Sequence, residues 1–559
     1  MPTQERDDLD LHVDSELRVD GLVGSSGMGR RLVGPLGVFA TVELFALVLW
    51  LVLGRSQWFH FDEWDFLAAR KAGDLGDLFR PHNEHWSTFP ILSYRFLYFL
   101  VGLRSYVPYQ LVVIVLHLTA AALLLVVMRR AEVNGWIAVA AASLFALFGA
   151  GYFNIVMAFQ IGFTGALVLG LVHLLLADHS GPVDRRDWLG LLAGLVGLMM
   201  SGVAVTMVIV VGLAVLARRG WRVALLHTVP LAVVYLTWFF AIGRSSYGND
   251  QLILSGMPRF VWTGLQAAYG AMGQVPGVGL SLAIVLAIGL PIAYLDRRGL
   301  GRAVELAPPV ALLVGSVVFM AITATGRLNH GLVTAGHSRY IHLVAAMSLP
   351  ALAVAADAFV RRLWWFLPIG LALFVVGIPG NVRALADEQR DAKPGNDATR
   401  QMILTLPHDP LATQLPRDFQ PEPRFASQVT IGWLLDAAAQ HRLPAAPHVS
   451  AADLAADRLR LSFAPGAIGP GASVACHMLT GPFHATLRTG DELGLHGPIT
   501  ITPADNLQLL PAPLAFAPSH GQWLTVLRDT GRLAVFGASA RAPTSLCRPA
   551  SSETTAPSG

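Results

Sequence analysis

Charge, lysine and cysteine are all scarce in this chain of 559 residues. Charged residues make up 14% of it and hydrophobic ones 54%, whereas soluble domains carry about a quarter charged residues. That shortage excludes an ordinary soluble protein. Lys71 and Lys393 are the only lysines, so the basic side chains are nearly all arginine. The net charge is only +3, and no basic patch with interleaved aromatics offers a nucleic-acid surface. Cys476 and Cys547 are the only cysteines, both near the C-terminus. They form one disulfide if that region sits in an oxidising compartment, and stay as two thiols in a reducing one.

What the chain has instead is length in apolar runs. Mean hydropathy is +0.53, and up to about Asn381 long apolar stretches alternate with short arginine-bearing ones. This is the layout of a polytopic α-helical membrane bundle followed by a separate domain. Residues 1–32 are polar, start acidic and end in Arg30 and Arg31, and read as a disordered cytoplasmic N-terminus. Val33 to Gly54 is the first span, since about twenty residues at a rise of about 1.5 Å cross the hydrocarbon core. Ten further spans read as Val107–Met128, Trp136–Gly151, Ile161–Ala177, Trp188–Met200, Val203–Ala217, Val223–Gly243, Val278–Leu295, Glu305–Thr325, Tyr340–Phe359 and Trp364–Gly380. Trp188 to Ala217 could form one broken helix. Counting it as two keeps Arg129 and Arg130, Arg185 and Arg186, Arg218, Arg219 and Arg222, Arg297, Arg298 and Arg302, and Arg361 and Arg362 on the side of Arg30 and Arg31. The positive-inside rule makes that side cytoplasmic. About eleven transmembrane helices in a plasma (inner) membrane then leave the C-terminus outside.

Within the membrane module, 33–380, two outside loops are too long to be connectors. Residues 55–106 alternate aromatics, acids and apolar residues, as in short helices lying on the membrane surface. Residues 244–276 place Phe260, Trp262, Leu265 and Tyr269 at roughly helical spacing. Beyond the bundle, 381–423 reads as an irregular linker rich in Pro, Asp and Gln. Residues 424–551 read as an extracytoplasmic β-rich, sandwich-like domain that opens with a short helix at Val429–Gln440, and 552–559 as a disordered tail.

The residues that could carry chemistry cluster in the outside loops. Trp58-Phe59-His60-Phe61-Asp62-Glu63-Trp64-Asp65-Phe66 brings three carboxylates to headgroup level, and Pro81-His82-Asn83-Glu84-His85-Trp86 follows in the same loop. These clusters offer a general base and, in His82, Glu84 and His85, either a divalent metal site or a grip on phosphate or sugar hydroxyls. An interfacial cap of aromatics and acids is the plainer alternative. In the last outside loop stand Gly326-Arg327-Leu328-Asn329-His330 and His337-Ser338-Arg339-Tyr340. Arg327 and Arg339 run against the positive-inside tendency. They suit an anionic phosphate, or they anchor lipid headgroups or pair with a loop carboxylate. Glu43 and His117 lie near the middle of the first two spans, where they serve either a proton path or a buried hydrogen bond between helices.

From Gly34 to Gly380 this arrangement resembles the GT-C superfamily of membrane glycosyltransferases. The likeness lies in a first span with its N-terminus inside, a large first outside loop opening with Asp62-Glu63, surface helices in that loop, and about eleven spans. The resemblance implies an enzyme that takes a sugar from a polyprenyl-phosphate donor. It also implies Asp62 and Glu63 as the catalytic or acceptor-positioning acids, with Asp65 as a substrate-binding residue beside them. Arg327, Arg339 and Tyr340, together with His82, Glu84 and His85, are the expected substrate-binding residues. The expected function is inverting transfer to a cell-envelope glycan or glycolipid, and a nucleotide-free donor agrees with the lack of a Walker-type or dinucleotide loop. A transporter or flippase of a lipid-linked saccharide, or a non-catalytic envelope scaffold, is the alternative. The expected partners are that donor, that acceptor and membrane lipids.

Overall fold

The computed structural model describes residues 34–246, 255–422, 426–444, 458–466, 474–497, 499–503, 514–516, 522–538, 541 and 543–549. The two ends expected to be disordered, 1–32 and 552–559, lie outside the described residues, as do 247–254 of the second large loop. Among the described residues eight helical stretches are long and apolar enough to cross a membrane: Pro35–Ser56, Val107–Arg130, Ala158–Ala177, Trp221–Ala241, Val278–Gly299, Ala303–His330, Ser338–Arg362 and Trp364–His408. By helix length and composition the chain is a multi-pass membrane protein.

Eight is fewer than the eleven expected. The other three stretches are helical but shorter: Gly135–Ala146 has 12 residues, Arg185–Leu198 has 14 and Val203–Arg219 has 17. Gly135–Ala146 stops early because the chain turns at Gly149, where the backbone of Asn381 comes so close that a Cβ would overlap its carbonyl oxygen. The other two are separate, antiparallel helices. Arg219 returns to pair with Asp187, so the chain reverses at Met199–Gly202.

The arginine-bearing loops meet at one end of the bundle and bind each other. Arg130 donates to the carbonyl of Leu175 at 2.6 Å, and Arg218 pairs with Asp178 at 2.9 Å. Arg297 donates to Ala131 O at 2.6 Å, Arg302 pairs with Glu132, and Arg361 pairs with Asp357 at 2.6 Å. The bonds to Leu175 and Ala131 satisfy helix-end carbonyls, and the others are ion pairs between or within the loops.

At the opposite end the first large loop folds inward. Trp58, Phe59, Trp64, Phe66, Ile91 and Tyr94 are buried in one cluster with Met402, Ile403, Phe419, Val429, Ile431 and Leu434 from beyond the bundle. Much of the aromatic run is therefore core, which corrects the picture of a loop resting wholly on the membrane surface. The helix Thr88–Val101 keeps an apolar outer face, with Phe96, Phe99 and Leu100 exposed.

The stretch expected as an irregular linker is also different. Ile378–Thr405 is a helix of 28 residues with Pro394 inside it. Asn381, Leu385 and Gln389, four apart, are buried along one face, and this packing outweighs the loss of one helix hydrogen bond at proline.

The C-terminal strands form two sheets. One runs β1 (Phe463–Gly466), β7 (Gln522–Val526), β4 (Glu492–Leu495), β9 (Thr544–Pro549), β2 (Val474–Leu479). The other runs β3 (Phe483–Thr486), β8 (Arg532–Phe536), β5 (Ile499–Pro503), β6 (Leu514–Phe516). Leu493, Leu524 and Val526 of the first share a core with Ile501, Leu533 and Val535 of the second, giving a small sandwich. Cys476 and Cys547 face each other across β2 and β9 and form a disulfide.

Candidate functional site

The exit of the first helix is pinned before the acidic cluster begins. Gln110 Nε2 donates to the carbonyls of Gly54 and Val156, both at 3.0 Å. A tight turn follows in which Glu63 Oε2 accepts from the backbone N–H of His60 at 2.8 Å. This turn sends Asp62 and Glu63 in different directions. Asp62 points into a cavity, its side chain half exposed. Glu63 is fully buried and accepts hydrogen bonds from Tyr94 at 2.5 Å and Tyr106 at 3.0 Å. Burial lifts its carboxyl to about 8, outweighing those bonds. Glu63, expected beside Asp62 as a catalytic acid, does not line the cavity and instead holds the turn through its bond from His60.

Asp65 and His82 stand behind Asp62. Asp65 accepts from Arg70 Nε at 2.9 Å and lies 2.7 Å from His82 Nδ1. Burial works to raise its carboxyl, but the bonds from His82 and Arg70 win and hold it at about 2. Arg70 also donates to the carbonyls of Asp77, Arg80 and Pro81, which closes the loop. His82 turns its other nitrogen toward Asp62, 3.6 Å away. Burial alone would lower this imidazole, yet the two carboxylates push it above its ordinary value. His82 thus bridges Asp65 and Asp62 and orients the Asp62 side chain.

His82 and His85 exchange both backbone hydrogen bonds at 3.0 Å, with Asn83 at φ 49° in the turn between them. The turn presents Asn83 and Glu84 to the cavity. Glu84 takes both terminal nitrogens of Arg327 at 3.1 Å. His85 accepts from the N–H of Gly202 at 3.3 Å through Nδ1, and burial lowers it to about 4, the neutral state that such an acceptor requires. His82, Glu84 and His85 are therefore aimed at three different partners. Their ligand atoms do not form a group with metal-ligand spacing. Among the described residues the group with metal-ligand spacing is His179, Asp184 and Asp187. Asp187 there already binds Arg219, and a guanidinium on the carboxylate disfavours a second cation.

The cavity, of about 410 Å³, is lined on its polar side by Asp62, Glu84, His85, Arg327, Arg339 and Tyr340. Its apolar side is Phe163, Val203, Leu236, Phe239, Phe319 and Ile322. Arg327 is engaged with Glu84 and donates to Tyr340 Oη at 3.2 Å. Arg339 differs. Its guanidinium lies over the rings of Tyr340 and Phe153, at 5.0 and 5.9 Å, and no carboxylate among the described residues pairs with it. Its Nε is buried without a hydrogen bond.

Gln160, a lining residue that the sequence reading passes over, is 1% exposed with neither amide atom hydrogen-bonded. The signal was available, since a polar amide stands directly before the apolar run starting at Ile161. At mid-bundle His117 Nδ1 meets His342 Nε2 at 3.0 Å, and Glu43 Oε1 is buried without a partner. Comparison of the chain with family models, with curated proteins and with solved structures finds no match.

Proposed function

We propose that the protein is a GT-C-like inverting glycosyltransferase that moves a sugar from a polyprenyl-phosphate donor to an extracytoplasmic glycan or glycolipid of the cell envelope. The observation that carries this reading is the single cavity that holds Asp62, the unpaired Arg339 and an apolar wall together. A lipid-linked sugar phosphate needs those three things: hydrocarbon contact for the chain, a fixed cation for the phosphate and a base for the acceptor.

In this mechanism the acceptor hydroxyl oxygen attacks the anomeric carbon opposite the phosphate. Asp62 takes the hydroxyl proton as the new bond forms. The bond from the anomeric carbon to the phosphate oxygen breaks, and its electron pair leaves on polyprenyl phosphate, whose charge Arg339 meets with a planar fork of donors. His82 and Asp65 orient Asp62, and Glu84 orients Arg327 beside Tyr340. The arginine-bonded end of the bundle is cytoplasmic in this reading and the cavity opens to the outer face of the plasma (inner) membrane, with the β-sandwich also outside.

The test is to reconstitute purified protein with radiolabelled polyprenyl-phosphate sugars and envelope acceptor fractions. Label should pass to the acceptor. Label that crosses the vesicle still attached to its lipid would instead mark a flippase.

A further inference from the structure

A second cleft, of about 420 Å³, lies between the exit of the first helix and the helix Ile378–Thr405. Arg55, Arg390, Lys393 and Arg400 line it, against one carboxylate, Asp397. Asp397 pairs with Lys393, and Arg390 with Asp387. Arg55 and Arg400 have no acidic partner among the described residues, and Arg400 lies over the ring of Trp58 at 5.1 Å. Gln389, between them, is 4% exposed and lines the cleft with neither amide atom hydrogen-bonded. A buried amide without a partner is costly unless something binds it.

We infer that this cleft binds the phosphate of an anionic membrane lipid. Two unpaired guanidinium groups and a free amide donor match a phosphodiester, since each guanidinium can hold two of its oxygens. Val52 and Leu53 form the lip. They continue a row of exposed apolar side chains on the first helix, Leu44, Phe45, Val48 and Val52, each at least half exposed. No described residue covers that face, and on a crossing helix it meets hydrocarbon. Acyl chains lying along it would bring a headgroup directly to Arg55. A free anion in water would have no use for the apolar lip. The bound lipid ties the first helix to Ile378–Thr405 at the level of Trp58, four residues before Asp62. The inference stands independently of the transfer reaction.

The experiment uses the full chain, stripped of lipid in detergent and placed in nanodiscs of phosphatidylcholine with increasing phosphatidylglycerol, with retained lipid counted by native mass spectrometry. The wild-type chain should retain one phosphatidylglycerol saturably. Arg55→Gln with Arg400→Gln should weaken retention at least about tenfold, and both positions are exposed, so the fold is spared. Gln389→Leu should weaken it too while leaving every charge in place. Lys71→Gln with Arg104→Gln, exposed cations outside the cleft, should change nothing. Three results would overturn the inference: unchanged retention in the Arg55/Arg400 variant, equal loss in the Lys71/Arg104 control, or displacement of the lipid by inorganic phosphate at equal concentration.

Discussion

The two ends of the helical bundle use the same residue in opposite ways. At one end Arg130, Arg218, Arg219, Arg297 and Arg361 are each fastened to a carboxylate or a helix-end carbonyl. At the other, Arg339 lies over two aromatic rings in the cavity, and no carboxylate among the described residues pairs with it. Arginine bonded to its own protein is architecture, and it also marks the side of the membrane on which the chain keeps its positive charge. A half-buried arginine that rests on aromatic rings keeps part of its charge stabilisation and leaves its planar fork of donors open to an anion. Its anion is then expected from outside the chain. The lesson is that the pairing of an arginine, more than its presence, separates scaffold from site.

The sharpest way to break the comparison is to show that the two ends face the wrong compartments. Alkaline phosphatase fused after Asn381 should be active, and a fluorescent protein that matures only in the cytoplasm should stay dark there. Fusions in the Arg218–Arg222 loop should show the reverse. This outcome is all or none, and a cytoplasmic tail would put the cavity on the wrong side for an envelope acceptor.

Next in size is the base. Asp62→Asn keeps the shape of the side chain and removes its basicity, so turnover should fall by about 10² to 10⁴-fold while donor binding and expression persist. Glu63→Gln should retain turnover, because a protonated carboxyl bonded to two tyrosines is already neutral near pH 7. Retained activity in Asp62→Asn, measured as initial rates of transfer, would leave the reading without a base.

At the fastened end the expected loss is in stability. Asp187 is fully buried and binds Arg219, His227 and the backbone N–H of Asp184. Arg219→Ala leaves that carboxylate short of its cation, which costs about 3 to 5 kcal/mol for a buried pair. A lower melting temperature in detergent should result, with unchanged donor affinity in the protein that remains folded. Adding Asp187→Asn should restore part of the loss, since both charges are then gone. A drop in donor affinity without a drop in melting temperature would erase the distinction between the two ends.

Much of this contrast is legible in the sequence, and the part that is not has physical causes. Hydrophobic runs and arginine placement locate the helices, because apolar length and loop charge are local properties. They do not fix the length of each helix: Gly135–Ala146 is as apolar as a span but has 12 residues, and just beyond it Gly149 packs against Asn381, a residue far along the chain. The composition of 381–423 reads as a linker, yet packing against the bundle makes its first part, to Thr405, a helix. Asp62, Glu84, Arg327, Arg339 and Tyr340 are found in one cavity as the outside-loop clustering anticipates. Glu63 is not, since the alternation that turns one acid out and its neighbour in depends on Tyr94 and Tyr106. The pairing of Glu84 with Arg327, 243 positions apart, has no local signature at all. Sequence alone therefore cannot tell which of the two outer arginines is already engaged.

The smallest expected effect tests that last point. Arg339→Ala removes the unpaired guanidinium and should weaken binding of a short-chain polyprenyl phosphate by about tenfold to hundredfold, the worth of a charge-assisted hydrogen bond or two. Arg339→Lys keeps the charge and loses the planar two-point grip, so its loss should be smaller, about severalfold. Arg327→Lys is the comparison, because Arg327 already spends both terminal nitrogens on Glu84. Its variant should disturb the Asn83–Glu84 turn more than the phosphate. The order Arg339→Ala, then Arg339→Lys, then Arg327→Lys, read from equilibrium binding at equal protein levels, supports the assignment. If Arg327→Lys weakens binding most and both Arg339 variants bind like the wild-type chain, the phosphate position belongs to the engaged arginine. An unpaired guanidinium would then have failed as the mark of the site.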